Sequence, residues 1–430
     1  MAATERTTPV PGRSPDRLPT AGSAGGDGSD RRGGGVRRAM WAVAAVFTLN
    51  GFAFASWVSR IPSARDALGL EPGRLGLVLL GLSAGAVLSL PLAGVVVSRY
   101  GPRVTVTVTS LLMAAGLALV AVGTTLGVLP VVLGLFAMGL GQGSWDVAMN
   151  VEGAAVEQRL GRAIMPRFHA GFSVGTVAGA LLGAAAAGSG TGITPHLLVI
   201  AAIVAVATPL SARAFLPPVA AGSAHDTGPA PQGAVAQAWR EPRTLLVGVL
   251  VLAFAFSEGT GNDWLALATV DDYGTSQAVG SLVFAVFVAA MTVGRLVGPQ
   301  LLDRYGRVVV LRGTAGVAVL GLLAVVVGTS LPFAVAGAVL WGFGSSLGFP
   351  IGMSAAADDP ARSAARVSVV ASIGYTAFLA GPPLIGLLSD HVGIQRGLSV
   401  AAALLAVGLL VAGSSRPLPG ATLGTGPAAG

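Results

Sequence analysis

The chain has 430 residues, of which 53% are hydrophobic and only 10% charged. A soluble domain carries about 25% charged residues, so this composition excludes a water-soluble fold. The sequence contains no cysteine, which excludes disulfides, thiolate metal sites and cysteine nucleophiles, and the net charge is +7.

The N-terminal 38 residues are rich in Gly, Pro, Ser and Arg, which predicts a disordered cytoplasmic tail. Twelve apolar stretches follow, each close to the roughly 20 residues that cross a bilayer as a helix. They cover residues 39–58, 75–97, 104–123, 128–150, 170–188, 194–212, 244–265, 279–302, 308–328, 332–356, 367–388 and 397–413. A proline-containing polar stretch separates the sixth from the seventh. These features predict an all-α membrane protein with two six-helix halves, 39–213 and 244–413, a cytoplasmic linker at 214–243 and a cytoplasmic tail at 414–430.

The basic residues are all arginine, and they concentrate in alternate loops. With the N-terminus inside, 21 of the 26 arginines fall in the tails and inner loops and 4 in the outer loops, while Arg295 lies within a span. The positive-inside rule therefore predicts a multi-pass protein of the cytoplasmic membrane, the cell inner membrane, with both termini in the cytoplasm. The net positive charge is explained by the orientation of the protein in the membrane, so no nucleic-acid partner is expected.

The two halves carry a similar loop after their second span, Gly94 to Arg103 and Leu301 to Arg307, and both contain Arg-Tyr-Gly. Such internal repetition is typical of carriers built from two repeated halves. The loops resemble the GxxxDRxGRR motif of the major facilitator superfamily. The matching residues are Gly94, Arg99, Gly101 and Arg103, then Asp303, Arg304, Gly306 and Arg307. The resemblance implies a cytoplasmic gate here, although Ser98 replaces the acid of the first motif and Pro299 replaces the leading glycine of the second.

Three further segments resemble the MosC and YbjJ branch of this superfamily. They are ASWVSRIP from Ala55, WDVAMNVEGAAVE from Trp145 together with the following GRAIMPRFHAGFSVG, and SEGTGNDW from Ser257. MosC is associated with rhizopine, an inositol-like compound, so the resemblance implies a small polar substrate.

Polar residues inside the spans are the candidates for the mechanism. Gln142, Asp146 and Asn150 follow one face of the fourth span, and a membrane carboxyl should face the bundle interior. Asp146 is either a substrate or proton site or a structural hydrogen-bonding group. In the seventh span, Glu258 with Asn262 is either a proton-coupling acid or the fixed partner of a cation such as Arg295.

Aromatic and amide side chains near the outer ends of the first and seventh spans form a second set. Asn50 and Trp57 share a face of the first span, and Trp264 occupies the corresponding place in the seventh. Tryptophans at such positions either contact a sugar-like ring or anchor the helix at the interface. Asn50, Trp57 and Trp264 are therefore candidate substrate-binding residues, together with Gln142, Asp146, Asn150 and Asn262.

The sequence thus predicts a secondary active transporter that moves a small polar solute by alternating access, with protons as the possible coupling ion. The expected partners are the solute and the lipid bilayer, and the expected state is a monomer. A drug or metabolite efflux carrier and a transporter-like sensor are the alternatives; Gly139 stands where an efflux motif needs arginine. The four separated histidines and the absence of a nucleotide-binding loop predict no metal, no cofactor and no enzyme.

Overall fold

The computed structural model describes residues 26–162, 164–217, 233–359 and 362–418, and every regular element within them is a helix. The helices are α1 Gly26–Val58, α2 Ile61–Leu68, α3 Pro72–Leu126, α4 Val128–Leu160, α5 Met165–Gly188, α6 Ile193–Ala212, α7 Ala234–Ala238, α8 Pro242–Asp271, α9 Gln277–Val327, α10 Leu331–Ser345, α11 Gly348–Ala356, α12 Ser363–Val392, α13 Ile394–Gly397 and α14 Ser399–Val411. A 3-10 turn, Ala412–Ser415, follows α14.

The described chain forms 10 helical segments long and apolar enough to cross a membrane. Two of them, α3 with 55 residues and α9 with 51, are far longer than the roughly 20 residues that one span needs. Each leaves helical geometry at one glycine of the repeated loop, Gly101 with φ 78° and Gly306 with φ 74°. Side chains other than glycine rarely adopt this conformation, so the repeat marks the break between two spans. The twelve-span architecture in two six-helix halves is confirmed.

Several predicted boundaries differ from the structure. Helix α1 begins at Gly26, within the stretch predicted to be the N-terminal tail. The tenth predicted span is divided into α10 and α11 at Ser346 and Leu347. The predicted linker contains α7 and the start of α8. Residues 1–25, 218–232 and 419–430 lie outside the described residues.

Glycines allow the helices of the first half to touch backbone to backbone. A Cβ added at Gly175 of α5 would lie 2.0 Å from the Thr48 carbonyl oxygen of α1, and one at Gly179 would lie 2.4 Å from the Phe52 carbonyl oxygen. These distances are too short for any side chain. The four-residue glycine spacing in α5 therefore serves helix packing.

An even number of spans places the start of α1 and the end of α14 on the same side of the bundle. We name this side the terminal face; it includes Arg103 and Arg307, near the breaks of α3 and α9. The opposite face includes Arg65 on α2, Asp271 at the end of α8 and Asp390 near the end of α12.

Candidate functional site

At the opposite face, side chains from α2 bind side chains of the second half. Nη1 and Nη2 of Arg65 donate to the two carboxylate oxygens of Asp271 at 2.6 and 2.7 Å. Ser63 Oγ donates to Gln277 Oε1 at 2.5 Å, and Gln277 Nε2 donates to Asp66 Oδ2 at 2.7 Å. We name these five residues the opposite-face latch, because they join the two halves directly.

Backbone contacts close the same face. Ser281 Oγ donates to the Ser59 carbonyl oxygen at 2.6 Å, and the Gly73 N–H donates to Asp390 Oδ1 at 2.8 Å. Where α3 meets α12, a Cβ added at Gly76 would lie 2.4 Å from the Pro382 carbonyl oxygen. The halves therefore approach as closely here as helices within one half.

At the terminal face, the ion pairs between described residues lie within the second half and the end of the linker that leads into it. Asp358 binds Arg243 at 2.8 Å and Arg307 at 2.5 Å. Glu241 binds Arg366 at 2.6 Å and Arg362 at 3.2 Å. Between described residues of the two halves, every hydrogen bond and ion pair lies at the opposite face, so at the terminal face no such bond joins them.

The residues of the repeated loops all lie at the terminal face, and both halves share one local geometry. The Arg99 guanidinium lies 5.5 Å from the Tyr100 ring centre, and Arg304 lies 5.3 Å from that of Tyr305. Arg307 also donates to Ser354, within its own half. Four further residues of the two loop motifs are exposed: Gly94, Arg103, Asp303 and Gly306. In this conformation the described motif residues form no hydrogen bond between the halves.

The polar face predicted for α4 points to the space between the halves. Asp146 is exposed and close enough to Tyr375 on α12 for the two groups to interact electrostatically. Asn150 donates to the Asp146 carbonyl oxygen at 2.8 Å, and Gln142 Oε1 is buried without a hydrogen-bond partner. Among the described residues, none forms an ion pair with Asp146.

Glu258 is paired with the arginine that the sequence offered as its structural partner. Arg295 Nη2 of α9 donates to Glu258 Oε1 of α8 at 2.9 Å, and their side chains are 35% and 22% exposed. His169 of α5 is exposed, contacts the Phe47 ring edge-on at 5.2 Å and lies within electrostatic range of Arg295. The structure thus brings an acid and a cation of one half near a histidine of the other.

The remaining predicted residues lie deeper and are less accessible. Asn50, Trp57 and Trp264 are buried, and Asn262 is half-buried. Asn50 contacts the Met149 sulfur at 3.9 Å, whereas its Oδ1 and both indole N–H groups have no partner. Neither tryptophan is an exposed membrane anchor, which removes the interfacial interpretation of the pair.

Comparison with known proteins decides the family. The model of the Major Facilitator Superfamily matches residues 40–375. The chain belongs to the major facilitator superfamily. It is 34% identical to the transporter y4wD of Sinorhizobium fredii, across 81% of this chain and 90% of that protein. It is 28% identical to the membrane protein MosC of Rhizobium meliloti, across 89% and 90%. This superfamily protein is accordingly a multi-pass membrane transporter and not an enzyme.

Solved structures of superfamily members share its fold. The nucleoside transporter NupG has a TM-score of 0.71 at 16% identity, covering 87% of this chain and 98% of NupG. A bacterial Spinster homologue in an inward-facing conformation scores 0.68 at 14% identity, covering 88% and 97%. FucP in the outward conformation scores 0.61 at 16% identity, covering 88% and 99%.

Sequence reasoning missed the opposite-face latch entirely. One signal was available, since Arg65 is among the few arginines of the outer loops and needs a carboxylate near it. Its partner, Asp271, is 206 residues away. Spacing within one helix cannot identify a pair so distant in the chain.

Proposed function

We propose that this protein is a secondary active transporter that moves a small polar solute across the cytoplasmic membrane by alternating access. In this proposal both termini lie in the cytoplasm, and the terminal face is the cytoplasmic face. The two halves, residues 39–213 and 244–413, rock against each other about the connection at 214–243. The protein works as a monomer, because each chain contains both halves of the carrier.

One observation carries the proposal. Between described residues, hydrogen bonds and ion pairs join the two halves at the opposite face and none joins them at the terminal face. A carrier that alternates must break one set of contacts between its halves to form another. With the terminal face cytoplasmic, this structure is an inward-open state.

The substrate site we propose has an accessible and a buried part. Gln142, Asp146 and Asn150 form the accessible part on α4. Asn50, Trp57, Asn262 and Trp264 form the buried part nearer the opposite face. Buried polar atoms without partners are unfavourable by about 1–3 kcal/mol each, and solute hydroxyl groups would supply the missing hydrogen bonds. Two indole rings beside polar groups suit a sugar-like ring.

Proton coupling, in this proposal, involves Asp146 and Glu258. Asp146 has no cationic partner among the described residues, so nothing holds it permanently ionised. Glu258 is held by Arg295, so a proton on Glu258 would release Arg295 toward His169 or the solute. This exchange of partners is a way to connect protonation to movement of the halves.

The deciding experiment measures transport by the purified protein in proteoliposomes. A panel of nucleosides, fucose and inositol-like compounds is first screened for thermal stabilisation, because a ligand that binds the folded state raises its melting temperature. Solutes that stabilise are then tested for counterflow, with and without an imposed pH gradient. Stabilisation without counterflow would favour the sensor alternative, and export alone would favour the efflux alternative.

A reporter fused after Gly430 tests the orientation. We expect a reporter that is active only in the cytoplasm to function there, because the arginine distribution predicts a cytoplasmic C-terminus. Activity of a reporter that requires the periplasm would reverse the orientation and make this state outward-open.

A further inference from the structure

Arg60 is a buried cation in the segment between α1 and α2. Only 3% of its surface is exposed, and Nη2 donates to the Thr191 carbonyl oxygen at 2.9 Å. Its Nε and Nη1 groups have no hydrogen-bond partner. Among the described residues, none supplies a carboxylate that pairs with it. An arginine in this state is unusual, because buried charges in membrane proteins are paired or face water.

His196 lies close enough to Arg60 for the two side chains to interact electrostatically. It is 5% exposed, and both ring nitrogens lack a partner. A neutral imidazole carries one N–H donor, so a second unused donor stands near the guanidinium.

The start of α6 adds partial positive charge at the same place. His196 is in the first turn of this 20-residue helix, and Thr191, which binds Arg60, comes just before it. The N-cap residue, Gly192, has no side chain to bind the first N–H groups. A helix N-terminus attracts anions, and here it lies beside two buried side chains with unused donors.

We infer that Arg60, His196 and the start of α6 form a binding site for a small inorganic anion of the size of chloride. Arg60 Nε and Nη1 are unused donors on a cation, the start of α6 adds partial positive charge, and among the described residues no acid pairs with Arg60. A monatomic anion is favoured over an organic one, because both side chains are nearly inaccessible. The residues of the site all belong to the first half. Arg60 lies one helical turn after the proposed substrate residue Trp57, and its backbone N–H donates to the Trp57 carbonyl oxygen at 2.8 Å.

The experiment uses chloride itself as the probe. The purified full-length protein is exchanged into gluconate, and thermal unfolding is followed while chloride replaces gluconate at constant ionic strength. We expect a saturable rise in melting temperature for the wild type. Arg60→Gln should abolish the chloride response. His196→Leu, which removes the ring donor, should raise the half-saturating chloride concentration about ten-fold, the effect of one charge-assisted hydrogen bond.

Arg74→Gln is the matched control, because Arg74 is an exposed arginine near the same face. Its chloride response should equal that of the wild type. Bromide in a crystal should give an anomalous peak within hydrogen-bond distance of Arg60 Nε and Nη1. If Arg60→Gln does not fold, His196→Leu and Arg60→Lys decide the question, and both should raise the half-saturating chloride concentration because each removes an unused donor. A wild type that is indifferent to chloride, or variants with an unchanged response, would overturn the site.

Discussion

Arg65 and Asp271 form a two-pronged ion pair across the two halves of the protein, with N···O distances of 2.6 and 2.7 Å. Their side chains are only 16% and 29% exposed. Bidentate geometry and partial burial make such a pair stronger than an open surface pair. The pair is present only while the halves touch at the opposite face, so it favours this conformation over one that opens there.

The first prediction is that Asp271→Asn shifts the conformational equilibrium toward opening at the opposite face. Loss of the ion pair should cost this conformation about 1 kcal/mol, or roughly a five-fold change in the equilibrium. A single cysteine at Ala64, buried between Ser63 and Arg65, reports the opening through its rate of maleimide labelling. The chain has no other cysteine, so there is no background. Arg74→Gln is the control, and equal labelling of wild type and Asp271→Asn would contradict the prediction.

The second prediction concerns the backbone contact between α3 and α12. Gly76→Ala should hinder closure of the opposite face, because the added Cβ would lie 2.4 Å from the Pro382 carbonyl oxygen. Labelling of the cysteine at Ala64 should accelerate, as for Asp271→Asn. Gly313→Ala is the matched control, since a Cβ there meets no atom within 4 Å. An unchanged labelling rate in Gly76→Ala would contradict the prediction, because it would show that α3 and α12 accommodate the added methyl group without opening the opposite face.

Local patterns in the sequence predicted much of the fold, whereas contacts between distant segments could not be predicted. Apolar length gave twelve spans, and Arg-Tyr-Gly marked both breaks, because only glycine readily adopts the φ of Gly101 and Gly306. Helical spacing placed Asp146 on an interior face. The same spacing could not show whether Glu258 is free or paired with Arg295, since the formation of this ion pair depends on how α8 packs against α9.

The third prediction separates function from folding at Asp146. Asp146→Asn should reduce uptake at least about ten-fold while the melting temperature changes little. Among the described residues the exposed carboxylate forms no ion pair, and the long hydrogen bond that it accepts from Asn150 Nδ2, at 3.5 Å, can also be accepted by an amide oxygen. Glu157→Gln on the same helix is the control with the opposite outcome. Glu157 accepts hydrogen bonds from the N–H groups of Ile164 and Met165 at 2.6 and 2.7 Å. The Glu157→Gln substitution should therefore lower the melting temperature, whereas the protein that does fold should transport at the wild-type rate. Parallel losses in Asp146→Asn would assign Asp146 a structural role.

The fourth prediction is a pH dependence of stability at the terminal face. The hydrogen bond from Arg366, with smaller effects from Thr244 and Arg362, holds the pKa of Glu241 below its usual 4.5. A carboxylate with a lowered pKa stabilises the folded state above its unfolded pKa, and that stabilisation is lost as the pH falls through the folded value. Glu241→Gln should therefore melt earlier than the wild type near neutral pH, with the difference disappearing in acid. Equal melting temperatures of Glu241→Gln and the wild type near neutral pH would contradict the prediction.

The last prediction tests Glu258 through its partner. Glu258→Gln leaves Arg295 unpaired, which should lower stability by about 1 kcal/mol, because both side chains are partly exposed and solvent screens the loss. Arg295→Gln should have a similar effect, and the double variant should lose less than the sum of the two. This cycle measures the ion pair independently of transport.

The same variants separate coupling from structure. If Glu258 carries the proton, folded Glu258→Gln should keep solute exchange between the two sides of a proteoliposome and lose accumulation driven by a pH gradient. Arg295→Gln should also uncouple, because a proton on Glu258 then no longer releases a cation. A different result would assign the pair a structural role. If the stability losses of the two single variants are non-additive but both variants keep accumulation driven by a pH gradient, the Glu258–Arg295 pair only stabilises the packing between α8 and α9. Asp146 would then remain as the acid that connects protonation to movement of the two halves.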